Sequence, residues 1–150
     1  MNTIGNFWEL DSSSPDFPQI LALDLKDFPR PWSEADWRAL NWDHHLLYAF
    51  QVGGVLQAYA LFGRVPGDDV AHLLKVCVAQ DLRGSGLTQQ FWKSCTDKLK
   101  LQNVKSIFLE VESPNQRAVR FYEKCGFLLL RKIKAYYSDG TDALTMEMTI

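Results

Sequence analysis

Between Val76 and Phe127 the chain twice runs from an apolar, strand-like segment into a helix-like one. Val76-Cys77-Val78 leads into the turn Arg83-Gly84-Ser85-Gly86-Leu87-Thr88, and Phe108-Leu109-Glu110-Val111 leads into Pro114-Asn115 and a helical pattern through Cys125. Two such crossovers in succession, each with polar residues at the carboxyl end of its strand, predict an open α/β sheet, and sheets of that kind bind ligands beyond those strand ends. Gly84 and Gly86 keep the first turn clear of side chains, so the amides opening the next helix can point outward. Free amides at the positive end of a helix dipole suit an anion, best a phosphate or pyrophosphate, and Arg83 adds charge at the rim. A plain loop-to-helix turn accounts for the same residues. The turn is neither a nucleotide P-loop, since no Lys-Ser/Thr follows the second glycine, nor a complete GxGxxG.

The remaining segments extend this frame. Ser14 and Pro15 read as N-cap and first-turn proline of a helix running to about Lys26, with Phe17, Ile20, Leu21 and Asp24 on one stripe. Phe28-Pro29-Arg30-Pro31 ends it, and Ser33 with Asp36 forms a capping pair for a short second helix carrying Trp37 and Leu40. Leu46 to Val52 and Val55 to Arg64 flank Gly53-Gly54, the composition of a tight antiparallel hairpin. Val70 to Val78 is a nearly continuous apolar run, as in a central strand covered on both faces. Leu87, Phe91, Trp92, Cys95 and Leu99 recur at helical spacing; Ser106 to Val111 is a strand, and Gly126 stops the helix from Asn115 to Cys125. Phe127 to Ile133 and Ala143 to Thr149 form a last strand pair around a polar excursion. The expected order is strand, helix pair, three strands, helix, strand, helix, two strands: a mixed sheet with helices on its faces.

Composition narrows the function. The 150 residues suit one domain, 1–150, burying roughly two thirds of the surface the unfolded chain exposes. A net charge of −2 and a pI of about 5.9 argue against direct nucleic-acid binding, which requires a concentrated basic face. Cys77, Cys95 and Cys125 have no CxxC spacing and sit in apolar patterns, so they are expected as buried free thiols in a reducing compartment. His44 and His45 read as surface or turn residues, and no metal site is legible. Residues 1–15 have no basic or apolar leader pattern, and no apolar stretch is long enough to span a bilayer, so a cytoplasmic protein without membrane contact is expected.

The segment VAQDLRGSGLTQQF, Val78 to Phe91, resembles the acyl-CoA-binding motif of the GNAT acetyltransferases, which is Gln or Arg, two variable residues, Gly, one variable residue, then Gly or Ala. Arg83, Gly86 and Thr88 occupy its three defined places, Thr88 departing from the small residue. Downstream, Asn115, Ala118, Tyr122 and Gly126-Phe127 are similar to the family's second pattern, with the right gaps. The resemblance extends to the RimI-type ribosomal-protein-alanine N-acetyltransferases within that family, through LEV at Leu109 to Val111, PWSE at Pro31 to Glu34, AYYSDGTDALTMEM at Ala135 to Met148, and overall length. It covers nearly the whole chain and is weakest over residues 1–27.

The resemblance implies the GNAT fold, an α/β arrangement with a mixed sheet of about six to seven strands and about four helices. It implies acetyl-CoA as cosubstrate, without a metal, and transfer of acetyl to a protein N-terminal α-amine such as that of a ribosomal protein. It further implies that backbone groups of Val76, Cys77 and Val78 hold the pantetheine arm, that the amides of Gly84, Ser85, Gly86, Leu87, Thr88 and Gln89 take the pyrophosphate beside Arg83, and that Asn115 contacts the cofactor. Glu110 becomes the general base and Tyr122 the general acid. Trp32, Tyr136 and Tyr137 border the acceptor channel.

The residues themselves support these roles. Strand alternation places Phe108 and Glu110 on one face, with Glu110 at the strand's carboxyl end. Attack of an amine on a thioester needs a neutral nucleophile, hence a base, and the departing thiolate benefits from a hydroxyl donor. With unperturbed values of about 7.7 to 8 for an α-amine and about 10.4 for lysine, roughly a tenth of free N-termini are neutral at pH 7, several hundred times the lysine fraction. Simpler readings stand beside these: Glu110 and Glu112 as solvated charges, Tyr122 packing with Phe121, Asn115 as a helix cap, and Trp32, Tyr136 and Tyr137 as core or rim aromatics. Asp139, Asp142, Glu110 and Glu112 suggest an acidic mouth suited to a basic peptide. Two alternatives to the N-terminal acceptor are a small-molecule amine and a non-catalytic acyl-CoA-binding module.

Overall fold

Gly53 and Gly54 take φ of +60° and +80°, the left-handed conformation that glycine adopts without strain, and they reverse the chain between β2 (His45–Val52) and β3 (Val55–Gly63). The computed structural model describes residues 5–150; residues 1–4 of the N-terminal stretch lie outside the described residues. Preceding the hairpin are β1 (Asn6–Leu10), α1 (Phe17–Asp27) and α2 (Glu34–Arg38); after it come β4 (Val70–Val78), a 3-10 turn (Gln80–Leu82), α3 (Leu87–Leu101), β5 (Ser106–Glu112), α4 (Gln116–Cys125), β6 (Leu128–Ile133) and β7 (Ala143–Thr149). The strands form one seven-stranded sheet in the order β1-β2-β3-β4-β5-β7-β6, antiparallel throughout except for β4 against β5.

Each face of the sheet carries its own core. On one face α3 packs Phe91, Trp92, Cys95 and Leu99 against Ile107, Leu109 and Val111 of β5 and Phe127. On the other, Phe17, Ile20 and Leu23 of α1 and Trp37 of α2 cover Leu47, Ala49, Tyr59, Leu61 and Cys77. Phe17, Ile20 and Trp37 are fully buried, each contributing about 1.5–3 kcal/mol by removal of apolar surface from water.

The first helix begins later than Ser14 and Pro15 suggest. Ser14 Oγ accepts from the Asp11 N–H at 3.1 Å, so its capping oxygen is already used; Asp16 occupies the N-cap and Pro18 lies in the first turn. The stripe of Phe17, Ile20, Leu21 and Asp24 does face the sheet, with Leu21 partly buried against the core, and Leu23 joins it as a buried residue one turn beyond Ile20. Ser33 does cap α2, its Oγ accepting from the Asp36 N–H at 3.1 Å. Asn115 caps α4 by accepting from the Ala118 N–H at 3.1 Å, and Gly126 closes it at φ +108°.

Candidate active site

The cleft originates in a local defect of the one parallel pairing. β4 and β5 pair only at Val70–Ser106, Ala71–Ile107 and His72–Phe108. Immediately beyond, β4 carries a bulge against β3: Phe62 pairs with Leu73 and Leu61 with Lys75, leaving Leu74 as the extra residue. A bulge bends the strand that carries it. β4 therefore follows β3 through Val78 while β5 follows β7 through Glu112, and the two part company past His72. A cleft of about 1210 Å³ fills the opening, with Leu74 to Val78 on one wall and Glu110, Val111 and Glu112 on the other.

At one end of this cleft the chain turns from β4 into α3. Arg83 donates from Nε to the Val78 carbonyl at 3.1 Å, and the Ser85 hydroxyl donates to the Leu82 carbonyl at 2.6 Å, so both side chains stabilise the turn from within. Gly84 sits at φ +79°, and a side chain built at Gly84 or Gly86 meets nothing within 4 Å, leaving an open cradle before the helix. Thr88 turns its hydroxyl back to the Leu82 carbonyl at 3.3 Å, which directs the β-branched group into the turn. Val76, Cys77, Val78, Arg83, Gly84, Thr88, Gln89, Asn115 and Tyr122 all line the cleft; Ser85, Gly86 and Leu87 do not, and Leu87 packs toward the core.

An extended acyl-CoA fits these surroundings. The β5-facing edge of β4 from Lys75 to Val78 has no strand partner, as a pantetheine amide chain requires. Nine cationic side chains line the cleft (Lys26, Arg30, Lys75, Arg83, Lys93, Lys100, Arg117, Arg120, Lys124) against three acidic ones (Asp27, Glu110, Glu112), a local excess suited to phosphates in a chain of net charge −2. Sequence reading missed most of these cations because they come from separate elements. None of α4's residues is buried; Ala118, Val119, Tyr122 and Cys125 are partly buried against the core, and all but Val119 line the cleft.

On the α1 and α2 side, Glu110 is held rather than freely solvated. Its side chain is 17% exposed, and its Oε2 lies 2.5 Å from His72 Nε2. Burial, then the Glu110 charge, raise the phenol of Tyr136 above its ordinary value, although Tyr136 itself is not part of the cleft wall. Tyr137 and Trp32 are. Tyr137 is pushed up to about 12, first by burial and then by the Glu112 charge. From the opposite face Tyr122 enters the cleft between the rings of Phe121 and Phe127, at 5.5 and 5.6 Å, and burial keeps its phenol protonated well beyond neutral pH.

Beneath Trp32 lies an enclosed charge cluster. Asp24 and Lys75, each with its side chain 1% exposed, meet at 2.7 Å. Asp24 also accepts from the Trp32 backbone N–H at 2.8 Å, from Trp37 Nε1 at 3.1 Å and from the Tyr59 hydroxyl. The Lys75 ammonium also faces the rings of Phe28, Trp32 and Trp37 at 4.2, 4.4 and 5.1 Å. A lysine inside an apolar strand and an aspartate on an apolar helix stripe were the signals for this pair.

The thiols and the mouth complete the site. Cys77 and Cys95 are buried and Cys125 partly so; burial pushes Cys77 and Cys125 up to about 12 and Cys95 well above the ordinary value, which leaves no thiolate nucleophile at neutral pH. The four acids expected to form an acidic mouth are instead occupied. Arg30 meets Glu112 and Asp139, both at 2.8 Å, Lys132 lies 3.4 Å from Asp142, and Glu110 has His72. Hydrogen bonds from Thr141, then Arg30, hold Asp139 at about 2 against an ordinary 3.8. A depressed carboxylate stabilises above its unfolded value and loses that contribution as pH falls through the folded one. The Thr141 amide resonance is therefore expected to stay native through pH 4 and to shift toward pH 2, as followed by NMR; a midpoint near 3.8 would contradict the tie.

Among the described residues no group of three or more His, Cys, Asp or Glu is placed to hold a metal, and no helix is long and apolar enough to cross a membrane. Over its full length the chain is 28% identical to the [Ribosomal protein bS18]-alanine N-acetyltransferase of Escherichia coli (strain K12), 99% of which is covered. N-alpha-acetyltransferase 30 of Schizosaccharomyces pombe is 26% identical over 85% of this chain and 86% of its own. The crystal structure of the ribosomal-protein-S18-alanine N-acetyltransferase from Escherichia coli superposes with a TM-score of 0.84 at 26% identity, over 98% of this chain and 94% of that one. The seven strands and four α-helices thus form the GNAT fold anticipated from the motifs. Residues 17–127, which hold the splayed strands and both crossover turns, match the Acetyltransferase (GNAT) family, and the chain belongs to that family as an N-acetyltransferase.

Proposed function

We propose that this enzyme acetylates the N-terminal α-amine of a protein, with a ribosomal protein beginning in alanine as the target class, by direct transfer from acetyl-CoA within the single domain 1–150. The observation that carries the reading is the splay of β4 from β5, which joins the open turn at Gly84 to the carboxylate of Glu110 through one continuous cleft. Bound acetyl-CoA supplies the activated thioester carbon. Val76 to Val78 offer a strand edge to its pantetheine arm, the amides from Gly84 to Gln89 and Arg83 take the pyrophosphate, and the Asn115 side-chain N–H groups remain for the cofactor because only its oxygen is used in the cap.

Glu110 removes a proton from the acceptor nitrogen as the N–C bond forms, directly or through one water. Tyr122, kept protonated by burial, gives its proton to the sulfur as the C–S bond breaks. Trp32, Tyr136 and Tyr137 border the acceptor's path. An α-amine suits a single carboxylate base because it requires far less deprotonation at neutral pH than lysine. Full-length similarity to the bS18-alanine enzyme supports a peptide acceptor and, with it, a cytoplasmic setting.

The test is acetyl-CoA-dependent modification of peptides varied at their first three residues, with N-terminally blocked lysine peptides and small amines in parallel. Modification confined to free N-termini and strongest after an alanine start is expected. Turnover of small amines alone would discard the substrate while retaining the fold, and cofactor binding without any turnover would identify a non-catalytic acyl-CoA-binding module.

A further inference from the structure

His72 ends the paired segment of β4 and β5, and its ring reaches across the opening to the carboxylate two residues farther along β5. We propose that His72 is the positioning residue of the acetyl transfer: as the neutral imidazole it donates Nε2–H to Glu110 Oε2, leaving Oε1 as the oxygen that meets the acceptor amine. The inference rests on Glu110 as the base.

Three observations carry it. Nε2 and Oε2 are 2.5 Å apart, so a proton lies between them. Glu110 is 17% exposed and His72 39%, so the carboxylate is largely shielded while solvent reaches the imidazole. The Phe108 ring lies tilted against the imidazole at 5.5 Å and limits its rotation. A carboxylate fixed through one oxygen presents the other along a defined line, and misplacement of a reacting group by about 1 Å can cost on the order of a hundredfold in rate.

Around the pair stand Tyr136 and Tyr137, both coupled to the Glu110 charge. The same row across the sheet holds His45 on β2, Gly63 on β3, and Glu147 on β7 beyond Phe108. His45 is separated from His72 by the glycine, and its Nδ1 lies 2.8 Å from the Asn41 carbonyl oxygen.

His72→Ala is expected to lower kcat on the order of tenfold to a hundredfold with KM for acetyl-CoA unchanged. His72→Gln, whose side-chain N–H can replace Nε2–H, is expected to recover most of that loss, whereas His72→Leu, which fills similar space without a donor, is not. Thermal midpoints separate folding from chemistry, and if His72→Ala fails to fold, the comparison of His72→Gln with His72→Leu decides. Wild-type kcat in His72→Ala or His72→Leu, or a His72→Gln variant no faster than His72→Leu, overturns the assignment to His72. Glu110→Gln with undiminished kcat overturns this inference together with the base assignment, whereas a defective Glu110→Gln beside normal His72 variants removes His72 alone.

Discussion

Glu110→Gln is expected to lower kcat by about two to four orders of magnitude, the range associated with general base catalysis, while acetyl-CoA binding is retained. The amide fills the same space and can still meet His72, so the loss belongs to the missing basic oxygen. The pH dependence has a definite sign. At low pH the acceptor amine is protonated and depends most on an internal base; as pH rises toward the α-amine value of about 8, a growing fraction arrives neutral and the variant recovers relative to the wild type. A constant ratio of the two enzymes across pH would count against the role, since a base that is not used cannot become less necessary. Tyr122→Phe provides the complementary comparison. Its ring packing against Phe121 and Phe127 is preserved while the hydroxyl is removed, so kcat falls and the thermal midpoint stays.

The largest effect on stability is expected at Asp24. Replacing it with Asn leaves the Lys75 ammonium in an enclosed site without its counter-ion, and breaking a buried pair in this way costs about 3–5 kcal/mol. For a chain of this size that corresponds to a fall in Tm on the order of 10 °C. Burial already draws the Lys75 value below that of an ordinary lysine, against the pull of Asp24. In the variant nothing opposes burial, so the folded chain binds fewer protons than the unfolded one, and stability rises with pH. Chemical denaturation at pH 6 and pH 9 checks this: the deficit is expected to be greater at pH 6. The paired change Asp24→Leu with Lys75→Met removes both charges but leaves the Trp32 N–H, the Trp37 Nε1–H and the Tyr59 hydroxyl without their acceptor, so it is expected to remain destabilised, with a deficit that no longer depends on pH between 6 and 9. An Asp24→Asn variant with the wild-type midpoint would contradict the account. Activity serves as a second reading, because Asp24 also holds the Trp32 backbone at the cleft wall.

Local stereochemistry was the legible part of the fold. Ser33, Asn115 and Gly126 act within four residues of their own position, so their capping roles could be read without tertiary information. Ser14 misled because its oxygen serves a preceding turn, whereas Leu21 does pack against the core and Leu23 was missing from the expected stripe. The acidic mouth was inferred from four charges whose partners are distant in sequence: Arg30 lies far from Glu112 and Asp139 along the chain, and only folding brings it against them. Asp24 was visible on the apolar stripe of the first helix, but its partner Lys75, inside a strand read as nearly continuous apolar sequence, was not.

The two strand-to-helix units, their turn chemistry, the family motifs, and the place of Glu110 at a strand's carboxyl end are written in the residue order, because each depends on short spacings and backbone preferences that act over a few residues. The cleft and its contacts come from long-range packing. Insertion of β7 between β5 and β6, the bulge at Leu74, and the consequent parting of β4 from β5 create the cleft. The same long-range pairing sets His72 against Glu110, 38 residues away, and seals Asp24 over Lys75. Such contacts depend on strand register and on how two separate cores close over the sheet, and no local spacing encodes either.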